Sequence, residues 1–242
     1  MIVDLIKKNI PEYNTTLPIS KKKISFRPML VKEEKFLSII TNIESSFEDK
    51  IKNLCSLVDS CANNKIKTLD LFVPDFQFIL NELRKRSISE SVSLNITCPV
   101  TNEKVFIETN LSKFLCTNSK SKFELKLNPN LIIRFKQPKV LDLLKLNDYP
   151  KEDKDYFSLI CSCLYEIETP QEKITLTDSQ KKKSSEYVEL LDIENYSKVK
   201  EFIFAGNIKT TFEYSTSDGV ERQIEVNDFA NFLKFYSAIL ML

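Results

Sequence analysis

Apolar residues recur three or four positions apart in three stretches of the N-terminal part of the chain. This spacing is the period of an amphipathic helix, so each stretch predicts one helix. The apolar positions are Phe36, Ile40, Ile43 and Phe47 in the first stretch, Ile51, Leu54, Cys55, Val58, Cys61 and Ala62 in the second, and Phe76, Ile79, Leu80 and Leu83 in the third. Pro74 suits the first turn of the third helix, where its missing N–H leaves nothing unpaired. The sequence therefore predicts three helices between residues 32 and 86.

The residues ahead of these helices are mostly polar. Residues 1–23 contain Pro11 and Pro18 and predict an arm with at most a short helix. Residues 24–27 alternate between apolar and polar side chains, which predicts a strand that Pro28 stops.

Beyond Ser91 the period of the pattern changes to two. Apolar residues alternate with polar ones on both sides of two turns, as they do in antiparallel hairpins. The alternating positions are Val92, Leu94, Ile96 and Cys98 before the first turn and Val105 and Ile107 after it, then Phe123, Leu125 and Leu127 before Asn128-Pro129-Asn130 and Leu131, Ile133 and Phe135 after it. The middle of the chain is therefore expected to form a small antiparallel sheet.

The C-terminal part returns to helical spacing and contains a further hairpin. Helical faces are formed by Tyr156, Ile160, Cys163 and Leu164, by Tyr187, Leu190 and Leu191, which are expected to point inward, and by Tyr196, Val199, Phe202 and Ile203. Thr177 and Gln180 have the spacing of a capping box, and Gly206 suits a left-handed helix end. Asp218-Gly219 predicts a tight turn inside a hairpin over residues 209–226.

These elements together predict an α+β fold. Four segments follow from the pattern: an N-terminal arm over 1–23, a strand with three helices over 24–90, antiparallel hairpins over 91–138, and a helical segment over 139–242 that contains the hairpin 209–226 and an apolar last helix.

The last helix is apolar on most of its sides. A helix of this kind must be covered on most sides, either by the chain's own core or by another subunit. Both alternatives stay open, and the side chains that would meet a partner are Phe229, Phe232, Phe235, Tyr236, Ile239 and Leu240.

The composition excludes several classes of enzyme. The chain has no histidine and only two glycines among 242 residues. Histidine is the usual proton carrier near neutral pH and the commonest metal ligand, and phosphate-binding loops need closely spaced glycines. We therefore expect no catalytic residue, no cofactor and no enzymatic activity.

The charge and hydropathy of the chain argue against nucleic acid and membranes as partners. Lys and Arg number 35 against 34 Asp and Glu, which leaves a formal charge of +1. The lysine runs at 21–23 and 181–183 are interpreted as solvated, with acidic residues nearby balancing them. No uncharged apolar run approaches the roughly 18 residues that span a bilayer, and the N-terminus lacks a secretory pattern, so a soluble protein is expected.

The six cysteines are expected to be free thiols, mostly buried in a reducing compartment. Cys98 lies in a turn like half of a zinc knuckle whose second thiol is missing. A site built from Cys98, Cys116, Cys161 and Cys163 is conceivable, but burial explains these residues better, and no metal is expected.

One segment is more specific than the rest of the pattern. It runs Leu17-Pro18-Ile19-Ser20 and then Ile24-Ser25-Phe26-Arg27-Pro28-Met29-Leu30-Val31-Lys32-Glu33-Glu34-Lys35-Phe36-Leu37. With Cys61, Pro74-Asp75, Leu83-Arg84 before Ser87 and the turn at Cys98, it resembles the N-terminal signature of the baseplate proteins of T-even-like contractile-tailed bacteriophages. The resemblance spans about residues 17–138.

This resemblance implies a structural or assembly role in the central hub of the tail baseplate, with no catalytic residues. The partners would be other hub and tail proteins, with the tape-measure protein among the candidates, and homo-oligomerisation stays open. A transient chaperone for the tape-measure or hub proteins, absent from the mature virion, is the alternative. The protein would be assembled in the host cytoplasm and reside in the virion tail.

Arg27 is the residue of this signature to follow. Its planar guanidinium group can bind a carboxylate across an interface, or it can form a local salt bridge with Glu33 or Glu34.

Overall fold

The computed structural model describes residues 9–42, 44–116, 120–146, 153–177, 183–205, 208–226 and Phe232. Helices and antiparallel strands share these residues, which confirms the α+β class. The helices are α1 Glu34–Thr41, α2 Phe47–Cys61, α3 Val73–Ser87, α4 Val140–Leu143, α5 Asp153–Cys163, α6 Ser184–Glu189 and α7 Ile193–Ala205.

The strands form small antiparallel sheets. Their bounds are β1 Tyr13–Thr16, β2 Lys23–Phe26, β3 Ser91–Thr97, β4 Lys104–Asn110, β5 Leu115–Cys116, β6 Lys122–Asn128, β7 Leu131–Lys136, β8 Leu164–Glu168, β9 Lys173–Thr175, β10 Ile208–Ser215 and β11 Glu221–Val226. The spatial orders within the described residues are β1-β2, β3-β4, β11-β10-β5 and β6-β7-β8-β9.

The buried apolar side chains gather into two hydrophobic cores. The first core lies among β1, β2, helices α1 to α4 and the hairpins β3-β4 and β10-β11, and it also contains Phe232. The second core lies between the sheet β6-β7-β8-β9 and helices α5 to α7. Phe204 packs against both cores.

Two buried glutamines bind the last turn of α7 and the first residue of β10. The Oε1 atom of Gln77 accepts a hydrogen bond from the N–H of Ile208 at 3.1 Å. The Nε2 atom of Gln137 donates to the carbonyl of Phe202 at 2.8 Å. Both side chains are fully buried, so these bonds replace water that the backbone would otherwise bind.

The three predicted helices of the N-terminal part are confirmed, with one correction. The apolar spacing predicted that the first helix continues to Phe47, but α1 ends at Thr41 and Phe47 begins α2. The reason is Ser46, whose hydroxyl accepts a hydrogen bond from the N–H of Asp49 at 3.1 Å and thereby starts a new helix.

The segment predicted as an arm contains a strand instead. β1 pairs with β2 from Tyr13 opposite Phe26 to Thr16 opposite Lys23. Leu17 and Ile19 follow and are buried, with 0% and 3% exposure, and Leu17 belongs to the first core. The carboxylate of Asp75 accepts hydrogen bonds from the N–H groups of Ile19 at 2.7 Å and Ser20 at 3.0 Å. Asp75 lies in α3, about 55 residues further along the chain, so the periodicity of apolar residues cannot predict these hydrogen bonds.

The predicted hairpins β3-β4, β6-β7 and β10-β11 are confirmed. Gly219 has φ +74° in the turn between β10 and β11, a conformation that glycine adopts without steric cost. β8 and β9 were not predicted, and Leu164, expected on a helical face, is the first residue of β8.

Three sequence expectations fall on residues that the structure does not describe. Of the predicted capping box, Thr177 is described, but Gln180 lies within residues 178–182, which are outside the described ranges. Gly206 also lies outside them. The last helix also lies outside them, apart from Phe232.

Candidate functional site

Arg27 and Glu33 form an ion pair inside the first core. Arg27 follows β2, and Glu33 lies in a single 3₁₀ turn that leads into α1. The two Nη atoms reach the two carboxylate oxygens at 2.9 and 3.2 Å. Arg27 is 6% exposed and Glu33 1% exposed, so the pair is shielded from water.

The remaining hydrogen-bonding capacity of this pair is used by neighbouring groups. Glu33 accepts from the hydroxyl of Ser60 at 2.7 Å and from the N–H of Leu30 at 2.8 Å. Arg27 donates from its side chain to the carbonyls of Pro28 and Ser60 at 2.8 and 3.2 Å. Its backbone N–H donates to the carbonyl of Cys61 at 3.0 Å. The pair thereby ties β2, the start of α1 and the end of α2 together.

Burial and pairing act in opposite directions on both groups. Burial alone would lower the pKa of Arg27 and raise the pKa of Glu33, because it disfavours each charged form. The hydrogen bonds between them, with those from Ser60 and Leu30 to Glu33, outweigh burial. The pKa of Arg27 is therefore raised and that of Glu33 lowered.

Arg134 forms a second cluster of charges on the sheet of the other core. It lies on β7 opposite Glu124 of β6 and Glu166 of β8, because cross-strand neighbours face each other in antiparallel pairs. Its guanidinium reaches Glu124 at 2.9 Å, Glu166 at 2.6 Å and Glu168 at 2.5 Å. Lys173 of β9 adds a contact to Glu166 at 3.0 Å.

This cluster lies at the protein surface. Arg134 has 18% side-chain exposure and Glu124 40%. The hydrogen bonds to Glu168, Glu124 and Glu166 raise the pKa of Arg134. For Glu166, burial would raise the pKa, but the hydrogen bonds from Lys173 and Arg134 lower it. Every carboxylate of the two clusters is paired with at least one cation, so neither cluster presents an unpaired carboxylate for acid–base chemistry.

Two of the most exposed apolar side chains of the described residues lie three positions apart in the sequence, between the end of α6 and the start of α7. Leu190, which follows α6, is 84% exposed, and Ile193, the first residue of α7, is 86% exposed. We call these two residues the apolar corner. The prediction that Leu190 points inward was wrong, because helix α6 ends at Glu189 and the chain turns there.

The backbone between these two residues is fixed by hydrogen bonds. The carboxylate of Asp192 accepts from the N–H of Asn195 at 2.8 Å and from its side-chain amide at 2.7 Å. The backbone carbonyl of Asp192 accepts from the N–H of Tyr196 at 2.9 Å. The N–H bond from Asn195 is the first cause of the lowered pKa of Asp192. The exposed side chains are therefore presented by a capped helix start.

The cysteines do not gather into one place. Cys98 belongs to the first core, and Cys161 and Cys163 belong to the second. The Cys98 thiol accepts from the N–H of Thr101 at 3.5 Å and from the hydroxyl of Tyr214 at 3.4 Å. All six cysteines lie within the described ranges, and none of them forms a disulfide there. Within the described ranges, Cys, Asp and Glu side chains form no group of three or more that could hold a metal ion.

Of the side chains that the sequence analysis assigned to partner binding, the structure describes two. Arg27 forms the intramolecular salt bridge with Glu33 that was the open alternative, and a contact from it to another protein stays a prediction. Phe232 is 1% exposed and packs in the first core. The others, Phe229, Phe235, Tyr236, Ile239 and Leu240, lie outside the described residues.

The sequence pattern did not predict the apolar corner as a surface. A signal was present, since Leu190-Leu191-Asp192-Ile193 cannot place all three apolar side chains on one helical face. Asp192 followed three residues later by Asn195 was also a readable helix start.

Comparison with known proteins gives one match. The model of the family described as T4 bacteriophage base plate protein matches residues 10–234 of the chain. No curated protein matches the chain significantly, and no solved structure does. Among the residues that the structure describes, no helix is both long and apolar enough to cross a membrane.

Proposed function

Because this chain belongs to the T4 bacteriophage base plate protein family, we propose that it is a non-enzymatic component of the central hub of the tail baseplate. In this role it binds other hub and tail proteins, and the tape-measure protein is one candidate partner. It is assembled in the host cytoplasm and stays in the virion.

The apolar corner supports this proposal most directly. Single exposed apolar residues are common on protein surfaces, but Leu190 and Ile193 are both almost fully exposed and only three residues apart. Burying a Leu or Ile side chain fully stabilises a complex by about 1.5–3 kcal/mol each. A partner that covers the corner would gain this energy without ordering the backbone, because the Asp192 hydrogen bonds already hold it.

Charged residues surround the corner and suit the rim of an interface. Glu189, Asp192 and Glu194 are exposed beside Leu190 and Ile193. An apolar centre with a charged rim is the usual arrangement of residues in a protein–protein interface. The rim charges would favour a partner with basic residues around an apolar pocket.

The test is co-purification of the tagged chain from infected cells, with the double variant L190S/I193S. We expect the variant to fold like the wild type and to lose hub or tail proteins. The matched control is V31S/V100S, which removes two exposed apolar side chains, 85% and 71% exposed, from separate positions. If wild type, control and variant all behave as inert monomers toward tail proteins, the proposed role fails.

Mass spectrometry of purified virions decides between the two roles within tail assembly. We expect peptides of this chain in finished particles. Abundance in infected cells together with absence from virions would instead favour the transient chaperone for the tape-measure or hub proteins.

The apolar last helix is a second proposed contact surface. Because Phe232 is buried in the first core, truncation after Asn227 is expected to destabilise the fold. A sharper variant replaces Tyr236, Ile239 and Leu240 with serine and keeps Phe232. A folded variant that no longer assembles supports docking, whereas unfolding assigns these side chains to the chain's own core.

A further inference from the structure

The fold brings lysines from two distant segments around one cleft. Lys22 and Lys23 lie at the start of β2, and Lys65 and Lys67 lie in the loop after α2. They line a cleft of about 480 Å³ together with Ile24, Ile66, Leu71 and Asp70. We call this the lysine cleft. All four lysines are exposed, while Ile24 and Leu71 are buried at its base.

The lysine run at 21–23 is exposed, as expected, but among the described residues the four lysines that line the cleft outnumber its lining carboxylate, Asp70. Within the described part of the chain, no carboxylate forms an ion pair with Lys22, Lys23 or Lys67. Lys65 has a single contact to Glu12 at 3.8 Å. Asp70 also lies 3.7 Å from Lys139, with which it lines a neighbouring cleft.

Both walls of the lysine cleft are held by hydrogen bonds. In the turn before β2, the N–H of Leu17 donates to the carbonyl of Lys22 at 2.9 Å. After α2, the N–H of Asn64 donates to the carbonyl of Asp59 at 2.7 Å, and the carboxylate of Asp59 accepts from the N–H of Thr68 at 3.0 Å. The backbone segments that carry the lysines are therefore held in place on both sides of the cleft.

We propose that the lysine cleft binds an acidic extended segment of another protein. An extended segment points alternate side chains to opposite sides, so carboxylates can meet the lysines while the intervening small side chains rest on Ile24 and Leu71. Lysine suits such a partner because its ammonium contacts a carboxylate without demanding a fixed geometry.

Nucleic acid fits the lysine cleft less well than an acidic protein segment. The whole chain carries a formal charge of only +1, whereas nucleic-acid binding usually needs a basic surface along several phosphates. This inference rests on the proposed function in that the partner is a protein. The measurement below uses no tail protein, so its failure and the failure of the baseplate role are separable.

The experiment is fluorescence anisotropy of the full chain with a labelled decapeptide of alternating glutamate and alanine. The same decapeptide with glutamine in place of glutamate and a decathymidylate are the comparison probes. We expect the glutamate peptide to bind, the glutamine peptide not to bind, and decathymidylate to bind more weakly. Added salt should weaken the binding of the glutamate peptide.

The variant K22E/K67E is expected to weaken peptide binding by about tenfold or more. The control K104E/K113E makes the same change of net charge at two exposed lysines outside the cleft and should stay within about twofold of the wild type. Circular dichroism checks that both variants keep the fold.

Four results would overturn the proposal: no binding of the glutamate peptide at about 1 mM, equal loss of binding in the control, tighter binding of decathymidylate than of the peptide, or self-association that K22E/K67E abolishes. The third outcome would indicate a nucleic-acid site, and the fourth a contact between copies of this chain.

Discussion

Arg27 and Arg134 are both bound by glutamates from neighbouring segments, yet they lie in different surroundings. Arg27 is 6% exposed and its partner Glu33 1% exposed. Arg134 has 18% side-chain exposure and shares three glutamates and Lys173 at the edge of water. If one partner is lost in the second cluster, water and the remaining charges compensate. In the first cluster, the only other cation near Glu33 among the described residues is the exposed Lys32, 3.7 Å away, so a lost partner is compensated less and the two ion-pair clusters stabilise their cores unequally.

The largest expected effect is that of R27M. This change leaves the buried carboxylate of Glu33 with only the exposed Lys32, 3.7 Å away, as a cation, and we expect it to cost about 3–5 kcal/mol of the free energy of unfolding. Urea unfolding followed by circular dichroism measures the loss. The matched change R134M should cost far less, and equal costs at the two arginines would remove the distinction between the clusters.

The double variant R27M/E33M sharpens this comparison. Replacing both members of a buried ion pair by apolar residues removes the unpaired charge, so much of the stability lost in R27M should return. Ser60 and the N–H of Leu30 lose their acceptor in this variant, which keeps the recovery incomplete. A double variant less stable than R27M would contradict the explanation by an unpaired charge.

The next effect in size is that of D75A, in the same core as Arg27. The side chain of Asp75 is fully buried, and its loss leaves the N–H groups of Ile19 and Ser20 without their acceptor. We expect a cost of about 1–3 kcal/mol in urea unfolding. The control D70A, at a carboxylate with 57% side-chain exposure, should stay within about 0.5 kcal/mol of the wild type.

Acid should distinguish the two clusters as well. The pKa of Glu33 lies below its ordinary value of 4.5 in the folded protein, so its stabilising effect is complete above that pH and is lost as the pH falls through the folded pKa. The free energy of unfolding should therefore depend less on acid pH in E33Q than in the wild type. E166Q should reduce this dependence less, although the pKa of Glu166 is also lowered. The same acid dependence in E33Q and wild type would show that Glu33 does not drive it.

The smallest effect is that of R134M, which should cost about 0–1 kcal/mol at low salt. At about 1 M salt, where charges are screened over roughly 3 Å, this cost should shrink further. The cost of R27M should persist there, because its ion pair is shielded from solvent. If salt reduces the cost of R27M as much as the cost of R134M, the two ion pairs do not differ in their shielding from solvent.

Local patterns predicted much of the fold but little of the candidate surfaces. The apolar spacing of Phe76, Ile79 and Leu80 requires one buried helical face, and Asp218-Gly219 requires a tight turn. Such elements depend on residues within a few positions. β8 was not predicted, because Leu164 continues the apolar spacing of α5. Only the pairing of Leu164 with Phe135 of β7 shows that it belongs to a strand.

The candidate surfaces depend on where the chain turns and on which distant segments the fold brings together. Leu190 has an apolar side chain that periodicity placed inward, but the end of α6 at Glu189 exposes it. The lysines at 22–23 and at 65 and 67 are separate charged stretches in the sequence. They form one cleft only because β2 lies beside the loop after α2, where the N–H of Arg27 bonds to the carbonyl of Cys61 at 3.0 Å.

The sequence by itself determined the α+β class, the three N-terminal helices and three hairpins, because each rests on spacing along the chain. The resemblance to baseplate proteins came from the particular residues of the segment that contains Arg27 and Glu33. The sequence also named Glu33 as one candidate partner for Arg27. The tertiary structure decided that this pair is buried against Ser60, that β1 joins β2, and that lysines from two segments share a cleft. These features depend on contacts between residues far apart in sequence, which become neighbours only when the cores form.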